Sequence, residues 1–382
     1  KGQQGEKWES RPGGIWISRS SRKHDSDSDR AVTSVDVLFG SDAVDPRPGW
    51  TLARTPLLIE ADKNLLPPRL STRHGQPHAD HKEIVPRVRK DGKFKILQVS
   101  DAHLATGTGV CRDAIDASGN VVPAKNCEAD TRTLDFIESV LDSEAPDLVV
   151  LSGDQVEGPL APDTQSVIFK IAAPLIERSI PYAAIFGNHD DEGSHLSREA
   201  QMSLMQTLQI DWFKTTSNGL KQAHKKYSHI HLDLAFIHIP LPEYSEKGLM
   251  VKGGDWKEGV TAPKFNSHFY DALSEAGVVA VGCGHDHVND YCALRPATSN
   301  TARDAESEPQ SLHQDHRPHL GPWMCYAGGS GFGGYAGYGG FHRRVRVWEV
   351  DTNSGRVVTW KRVECCGADT EKRIDELVIV DG

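Results

Sequence analysis

Short apolar runs alternate with stretches of helical apolar spacing along the middle of the chain. The run Phe94–Val99 predicts a buried strand, and Leu134, Ile137 and Val140 recur at the spacing of a helix. The pattern predicts strands at Phe94–Val99, Asp147–Leu151 and Tyr182–Phe186, and helices at Thr131–Ser143, Thr164–Arg178 and Ser197–Leu208. Strands that alternate with helices in this way predict an α/β core.

Beyond residue 225 the pattern favours strands. It predicts strands at Lys226–Leu232, Leu234–Ile239, Val278–Gly282, Met324–Ala327, Arg344–Val350 and Val357–Arg362, with one helix near Ala262–Ser274. This part of the chain therefore indicates two sheets with helices outside them. The polar stretch Pro296–His319 predicts a disordered surface insertion.

The first 91 residues lack this rhythm and predict a small β module. Val32–Phe39 alternates and is β-branched, Trp50–Glu60 is typical of extended chain, and Gly14–Ser18 favours a short strand. A polar linker is expected over Ser71–Lys90. We therefore divide the chain into an N-terminal β module with its linker, residues 1–91, and a larger domain, residues 92–382.

Composition and charge exclude some functions. The chain has 382 residues with 43 Lys and Arg against 53 Asp and Glu. The resulting formal charge of -10 argues against general nucleic-acid binding, which requires a basic surface. Apolar stretches such as Gly277–Cys283 are far shorter than the roughly 18 residues that a membrane span needs, so none is expected. Because the chain begins at Lys1, a preceding signal or anchor stays open.

The seven cysteines are too few and too scattered for a disulfide scaffold. Cys111 and Cys127 flank a polar segment, and the sequence leaves open whether they are bonded. A bond between them would favour an oxidising compartment, and so the secretory pathway or the outside of the cell.

Residues that bind metal ions follow five of the apolar runs. They are Asp101-Ala-His103, Gly153-Asp154, Gly187-Asn188-His189-Asp190, His238 and Gly284-His285-Asp286-His287. Each motif is weak alone, since a lone Asp-x-His is usually an accident of loop sequence and a lone strand His usually a core residue. Five in order, each at the carboxyl end of an apolar run, are much less expected by chance. Carboxylate and imidazole ligands suit Fe, Mn or Zn.

In this order the motifs resemble those of the calcineurin-like metallophosphoesterase superfamily: Asp-x-His, Gly-Asp, Gly-Asn-His-Asp/Glu, His and Gly-His-x-His. The resemblance covers residues 94 to about 363. Within the superfamily, His238–Tyr244 and Gly284–Cys292 are similar to fungal phosphatases related to small plant purple acid phosphatases. The resemblance implies a four-layer α/β/β/α sandwich as the catalytic domain over residues 92–382.

The resemblance also implies the role of each site residue. One metal ion would bind Asp101, His103 and His287, the other Asn188, His238 and His285, and Asp154 would bridge the two. His189 would lie outside the metal ligands near the leaving group, with Asp190 orienting its ring. Purple acid phosphatases carry a Tyr ligand three residues after the bridging Asp. Glu157 stands there in this chain, so no colour from a tyrosinate bound to iron is expected. The sequence supports a ferric ion less firmly than it supports the metal site itself.

A glycine-rich run, Gly329–Gly334, matches the dinucleotide pattern Gly-x-Gly-x-x-Gly, but no helix pattern follows it to hold a pyrophosphate. We interpret it instead as a loop near the metals. Four residues that follow it are candidate substrate contacts: Tyr335, Tyr338, His342 and Arg343.

The expected function is a binuclear metal-dependent phosphatase acting on phosphomonoesters, either phosphoproteins or small organic phosphates. Two ions, Fe, Mn or Zn, would support in-line attack by a metal-bound hydroxide. A phosphodiesterase of the same superfamily is one alternative. Another is a non-catalytic, metal-stabilised protein that holds a phosphorylated partner, although such a protein has no need of His189. The oligomeric state stays open.

Overall fold

A computed structural model of the chain describes residues 6–20, 29–59, 66–75, 86–209, 232–296, 321–336, 342–364 and 373–382. Its strands are β1 Glu6–Arg11, β2 Ile15–Ser20, β3 Val32–Phe39, β4 Trp50–Leu52, β5 Pro68–His74, β6 Lys93–Val99, β7 Leu148–Ser152, β8 Tyr182–Ile185, β9 Asp233–Phe236, β10 Met250–Lys252, β11 Val278–Cys283, β12 Cys292–Leu294, β13 Trp323–Tyr326, β14 Arg344–Asp351, β15 Arg356–Val363 and β16 Ile374–Val380. Its α-helices are α1 Ala129–Glu144, α2 Thr164–Glu177, α3 Arg198–Gln209 and α4 Phe269–Glu275. Short 3-10 helices lie at Ala124–Asn126, Gly158–Leu160 and Pro242–Ser245.

Two mixed sheets form the centre of the molecule. The six-stranded sheet has the order β16-β15-β14-β6-β7-β8, and the five-stranded sheet has the order β10-β12-β13-β11-β9. Strands β6, β7 and β8 are parallel, as are β9, β11 and β13. The carboxyl ends of parallel strands meet at one edge of a sheet, so the loops that follow them lie together.

The central strands are buried on both faces, and this produces four layers. Ile96 packs between the two sheets with Ala280 and Trp348, whereas its neighbour Leu97 packs in the cluster beneath α1 and α2. On the other side, Tyr270 of α4 belongs to the cluster that covers the five-stranded sheet. Because side chains alternate between the faces of a strand, one apolar run serves both layers. The four-layer α/β/β/α sandwich predicted from the sequence is confirmed.

The N-terminal β module packs on α2. Its three-stranded sheet has the order β3-β5-β4, beside the hairpin of β1 and β2. Leu38 of β3 packs against Phe169 of α2. The buried Lys170 Nζ lies 2.7 Å from Asp42 Oδ2 of the module and also contacts Asp130 at the start of α1. These contacts join the module to the α/β domain through apolar packing and a buried ion cluster.

The linker expected from Ser71 was wrong at its first residues. Ser71 is fully buried within β5, and its hydroxyl contacts the Asp45 carboxylate at 2.5 Å. The polar residues at 71–74 pair with β3 and β4 rather than joining two domains. Their side chains form hydrogen bonds inside a small sheet, which composition alone does not distinguish from a linker.

Other differences concern short elements. The helix predicted near Ala262–Ser274 begins only at Phe269, and strand Trp50–Leu52 is shorter than the predicted extended stretch. The edge strands β10 and β16 and the short inner strand β12 were not predicted. Residues 226–231 of one predicted strand and residues 297–319 of the predicted insertion lie outside the described residues. Within the described residues, no helix has both the length and the apolar character that crossing a bilayer requires.

The described residues contain two disulfides. Cys111 is bonded to Cys127, which answers the question left open by the sequence. Cys292 of β12 is bonded to Cys325 of β13, a pair that the sequence did not indicate. The two residues are direct partners in the antiparallel register, so the sheet brings them together.

Candidate metal centre

The predicted metal ligands meet at the carboxyl ends of parallel strands from both sheets. Asp101 and His103 follow β6, Asp154 follows β7, Asn188 follows β8, His238 follows β9, and His285 and His287 follow β11. All but Asn188 and His285 are buried. The packing of the two sheets thus gathers residues that lie almost 190 positions apart in the chain.

The ligand atoms form two groups, each within 4.8 Å: Asp101, His103 and His287, and Asp154, His238 and His285. In the first group, the His103 and His287 Nε2 atoms face each other at 3.1 Å. Two nitrogens that each lie about 2.1 Å from one cation are this close when they subtend roughly a right angle. The separation therefore fits two ligands of one ion.

Asp154 lies between the two groups. Its Oδ2 is 3.1 Å from His238 Nε2 and 3.8 Å from His103 Nε2. Asn188 Oδ1 approaches the same His238 nitrogen at 3.3 Å. Asp154 thus lies where a carboxylate that bridges two ions is expected. The Asn188 amide places a neutral oxygen on the His238 side.

The backbone at the site adopts conformations that non-glycine residues rarely show. The φ angles of Asp101, His103, Asp154 and His285 are 56°, 44°, 53° and 75°. Such left-handed residues cost free energy and cluster at functional sites, where surrounding contacts hold them in place. At these strand ends the unusual turn directs the side chains into a shared space.

Two motif glycines make room for ligands from other motifs. A side chain at Gly153 would overlap the His238 ring, and one at Gly187 would overlap the Asp154 carboxylate. Each glycine is therefore needed because a ligand from elsewhere in the chain crosses over it.

The electrostatics of the site favour a cation. Burial tends to raise the pKa of Asp101, but the imidazoles of His287, His238 and His103 lower it below the ordinary value. Burial tends to lower the pKa of His238, but Asp154 and Asp101 raise it to about 9. Two buried carboxylates thus attract positive charge into the centre. Together with the mixed oxygen and nitrogen donors, this fits a two-metal centre of hard or borderline ions.

A comparison with known families agrees with this geometry. The family model for calcineurin-like phosphoesterases matches residues 94–318. The chain belongs to the calcineurin-like phosphoesterase family. The resemblance found in the sequence motifs is thereby confirmed.

Individual relatives of this phosphoesterase are fungal and plant proteins. It is 32% identical to Phosphatase DCR2 of Saccharomyces cerevisiae, over 87% of this chain and 64% of that protein. It is 31% identical to Probable inactive purple acid phosphatase 14 of Arabidopsis thaliana, over 73% of this chain and 82% of that protein. A solved structure, purple acid phosphatase PPD1 from yellow lupin seeds, aligns with 98% of this chain and 68% of that chain. Its TM-score is 0.42 at 12% identity.

Glu157 of the phosphoesterase takes a role that sequence reasoning missed. Its Oε2 lies 2.5 Å from His103 Nδ1, and its Oε1 accepts a hydrogen bond from Arg112 at 3.3 Å. Burial tends to raise the pKa of Glu157, but the His103 imidazole and Arg112 lower it overall. A carboxylate behind a ligating histidine orients the ring and makes it more basic. The one available signal was the position of Glu157 three residues after Asp154.

We expect Glu157→Gln to weaken metal binding about 10- to 100-fold, because the amide supports the His103 ring less well than the carboxylate. Competition with a chelator, followed by elemental analysis, measures the affinity. Glu275→Gln, at an exposed position at the end of α4, is the matched control. Equal metal affinity in Glu157→Gln and the wild type would show that this contact does not support the ligand.

His189 and Asp190 differ in their contacts. The His189 Nδ1 lies 2.6 Å from Glu192 Oε2, and its ring centroid is 5.4 Å from that of His103. Asp190 instead accepts hydrogen bonds from the backbone N–H groups of Asp154, Val156 and Gly187. Burial raises the pKa of Asp190 to about 6, although these hydrogen bonds oppose the rise. The expected contact of Asp190 with the His189 ring was therefore wrong, since Glu192 makes it.

Tyr335, which directly follows the glycine-rich run, contacts the predicted ligand His287. Its carbonyl oxygen is 2.8 Å from His287 Nδ1, and its ring stacks on the His287 ring with centroids 4.0 Å apart. The hydroxyl donates to Glu258 at 3.0 Å. Because Nδ1 is engaged in this way, His287 presents Nε2 to the metal position. Tyr335 also lines a cavity that four of the predicted ligands line.

The other candidate substrate contacts lie elsewhere. Arg343 is buried and donates to the carbonyl oxygens of Gly331, Arg112 and Gly334 at 2.6, 2.7 and 3.0 Å. It holds the loop from behind, so the expectation that it faces the substrate does not fit its position. Half-buried His342 is not among the described residues that line the cavity. Tyr338 lies outside the described residues.

Proposed function

We propose that this chain hydrolyses phosphomonoesters at a two-metal centre held by the seven predicted ligands. The observation that carries the proposal is the pair of adjacent three-donor groups, the second of which contains Asp154. Both groups contribute residues to one cavity, which His189 also lines. A buried carboxylate between two sets of imidazoles suits two adjacent cations. We assign one ion to Asp101, His103 and His287, the other to Asn188, His238 and His285, and Asp154 to both.

The chemistry follows from the ligands and from His189. Two bound ions, Fe, Mn or Zn, would activate water for in-line attack and neutralise charge on the phosphate oxygens. Because Glu192 engages Nδ1 of His189, Nε2 is the nitrogen that faces the departing group. We assign His189 as the general acid, whose Nε2 donates a proton to the leaving alkoxide. This route needs no phosphorylated enzyme.

The decisive experiment measures phosphate release and metal content on one purified sample. We expect two ions per chain and faster turnover of p-nitrophenyl phosphate than of bis(p-nitrophenyl) phosphate. A phosphoprotein and a small organic phosphate would then be compared as natural substrate classes. Faster turnover of the diester would instead identify a phosphodiesterase, the main alternative within the family.

A second candidate is a protein that binds a phosphorylated partner without turnover. It is favoured by the name of the Arabidopsis relative, which calls that protein probably inactive. The position of His189 beside the metal ligands speaks for catalysis, because binding alone has no use for an acid. Phosphate binding with two ions present and no release from any monoester would support the binding function.

We further propose that the chain folds in an oxidising compartment, in the secretory pathway or outside the cell. The Cys111–Cys127 and Cys292–Cys325 bonds support this, because disulfides rarely persist in reducing compartments. Acid quenching of expressing cells, thiol alkylation and peptide mass analysis should find these four cysteines protected. Alkylation of all four would contradict the proposal.

A further inference from the structure

Arg112 lines the cavity that four of the predicted metal ligands also line. The cavity has a volume of about 250 Å³, and Arg112 is the only Arg or Lys among the described residues that line it. Half of its side chain is exposed, so the guanidinium is accessible from solvent. His189 and Tyr335 line the same cavity. An accessible cation thus stands where a phosphate group would enter.

The backbone of Arg112 is held in place on several sides. Its N–H donates to Phe332 O at 2.9 Å, and its carbonyl oxygen accepts from Arg343 Nη2 at 2.7 Å. The preceding residue, Cys111, is bonded to Cys127. These contacts explain why Arg343 is buried, since it supports the loop that presents Arg112. A side chain on a fixed loop binds a ligand at a lower entropic cost than one on a mobile loop.

Among the described residues, Arg112 has one side-chain partner, Glu157, and this contact engages a single nitrogen of the guanidinium. Nη2 lies 3.3 Å from Glu157 Oε1, whereas a guanidinium carries five N–H donors in a planar fork. Glu157 in turn holds His103 through its other oxygen. The carboxylate therefore orients the guanidinium beside the metal centre. Planar forks of this kind match the oxygens of a phosphate group.

We propose that Arg112 binds a non-bridging oxygen of the substrate phosphate and makes the site selective for dianionic phosphomonoesters. This inference rests on the proposed function of the same site. A phosphomonoester carries close to two negative charges at neutral pH, and a diester carries one. A cation beyond the two metal ions therefore stabilises the monoester more strongly. The second ester group of a diester also occupies an oxygen that Arg112 would otherwise contact.

The test compares Arg112→Ala, Arg112→Lys and the wild type, with metal content measured for each. Inorganic phosphate is titrated by calorimetry, and kcat/KM is measured on p-nitrophenyl phosphate and bis(p-nitrophenyl) phosphate. For Arg112→Ala we expect phosphate affinity and monoester kcat/KM to fall about 10- to 100-fold, the range for a lost charge-assisted contact. Diester kcat/KM should fall by less than about threefold, and Arg112→Lys should be intermediate because it keeps the charge without the fork.

Arg356→Ala is the matched control, with the same charge change and no expected effect. Arg356 begins β15 at the sheet end where it pairs with Asp351, and Asp351 pairs with Lys93 at the start of β6. Asp101 and His103, two of the predicted ligands, follow the opposite end of β6. A loss of phosphate affinity or of kcat/KM that this control shares would reflect the change in net charge rather than a lost contact with the phosphate.

Three results would overturn the inference. Unchanged phosphate affinity in Arg112→Ala would exclude the contact. Equal losses on the monoester and the diester would exclude the selectivity. Loss of metal from Arg112→Ala would show that the residue acts only through Glu157 and His103. Absence of monoester turnover in the wild type would contradict the proposed function instead, and phosphate titration would still test Arg112.

Discussion

Asp154→Ala is expected to remove both metal ions and to lower phosphate release by at least about 10⁴-fold, as for sites whose residues act as a unit. Asp154 is the carboxylate between the two ligand groups, 3.1 Å from His238 and 3.8 Å from His103. Without it, no carboxylate remains in the second group of donors, which then consists of His238 and His285. Its other oxygen accepts the backbone N–H of His189 at 2.8 Å, so the loop of the acid also loses a contact.

Elemental analysis after gel filtration measures this result, with phosphate release on the same fractions. Asp135→Ala, an exposed substitution on α1, controls for the loss of one carboxylate. Asp154→Asn keeps the shape and removes the charge, and we expect it to retain less than the full metal content. Thermal unfolding of metal-free wild type and variant separates metal loss from misfolding. An Asp154→Ala protein with two tightly bound ions would refute the bridging assignment.

His189→Ala is expected to lower turnover about 10²- to 10⁴-fold while leaving the metal content close to that of the wild type. His189 contacts Glu192 rather than the ligand atoms, and its ring lies beside that of His103. The loss should depend on the leaving group. Turnover of an alkyl phosphate should fall most, because its alkoxide leaving group is a strong base that needs the proton. Turnover of p-nitrophenyl phosphate should fall least, because its p-nitrophenolate leaving group is a weak base.

The measurement is kcat for an alkyl and a p-nitrophenyl phosphate, with metal content determined for each protein. Glu192→Gln should give a smaller loss with the same leaving-group dependence, because it weakens only the support of the ring. Glu199→Gln, exposed on α3, is the control. Equal losses on both substrates would remove His189 from the role of general acid, since proton donation matters most for the poorer leaving group.

Much of the fold was predictable because its signals are local. The apolar run Phe94–Val99 and the spacing of Leu134, Ile137 and Val140 predicted β6 and α1, which the structure contains. Short strands such as β12 were not predictable, because three residues carry little periodicity and their pairing partner β13 lies far away in the chain. The same holds for the Cys292–Cys325 bond, which depends on that pairing.

The order of the motifs and their places after apolar runs were enough to predict which residues gather at the metal centre. Strand ends collect their loops at one sheet edge whatever the details of those loops are. The partners behind these residues depended on the tertiary structure. Glu157 behind His103, Glu192 behind His189, and Arg112 rather than Arg343 at the cavity all depend on where loop side chains point. Those directions are decided by left-handed turns and by contacts between segments far apart in the chain, which residue spacing does not encode.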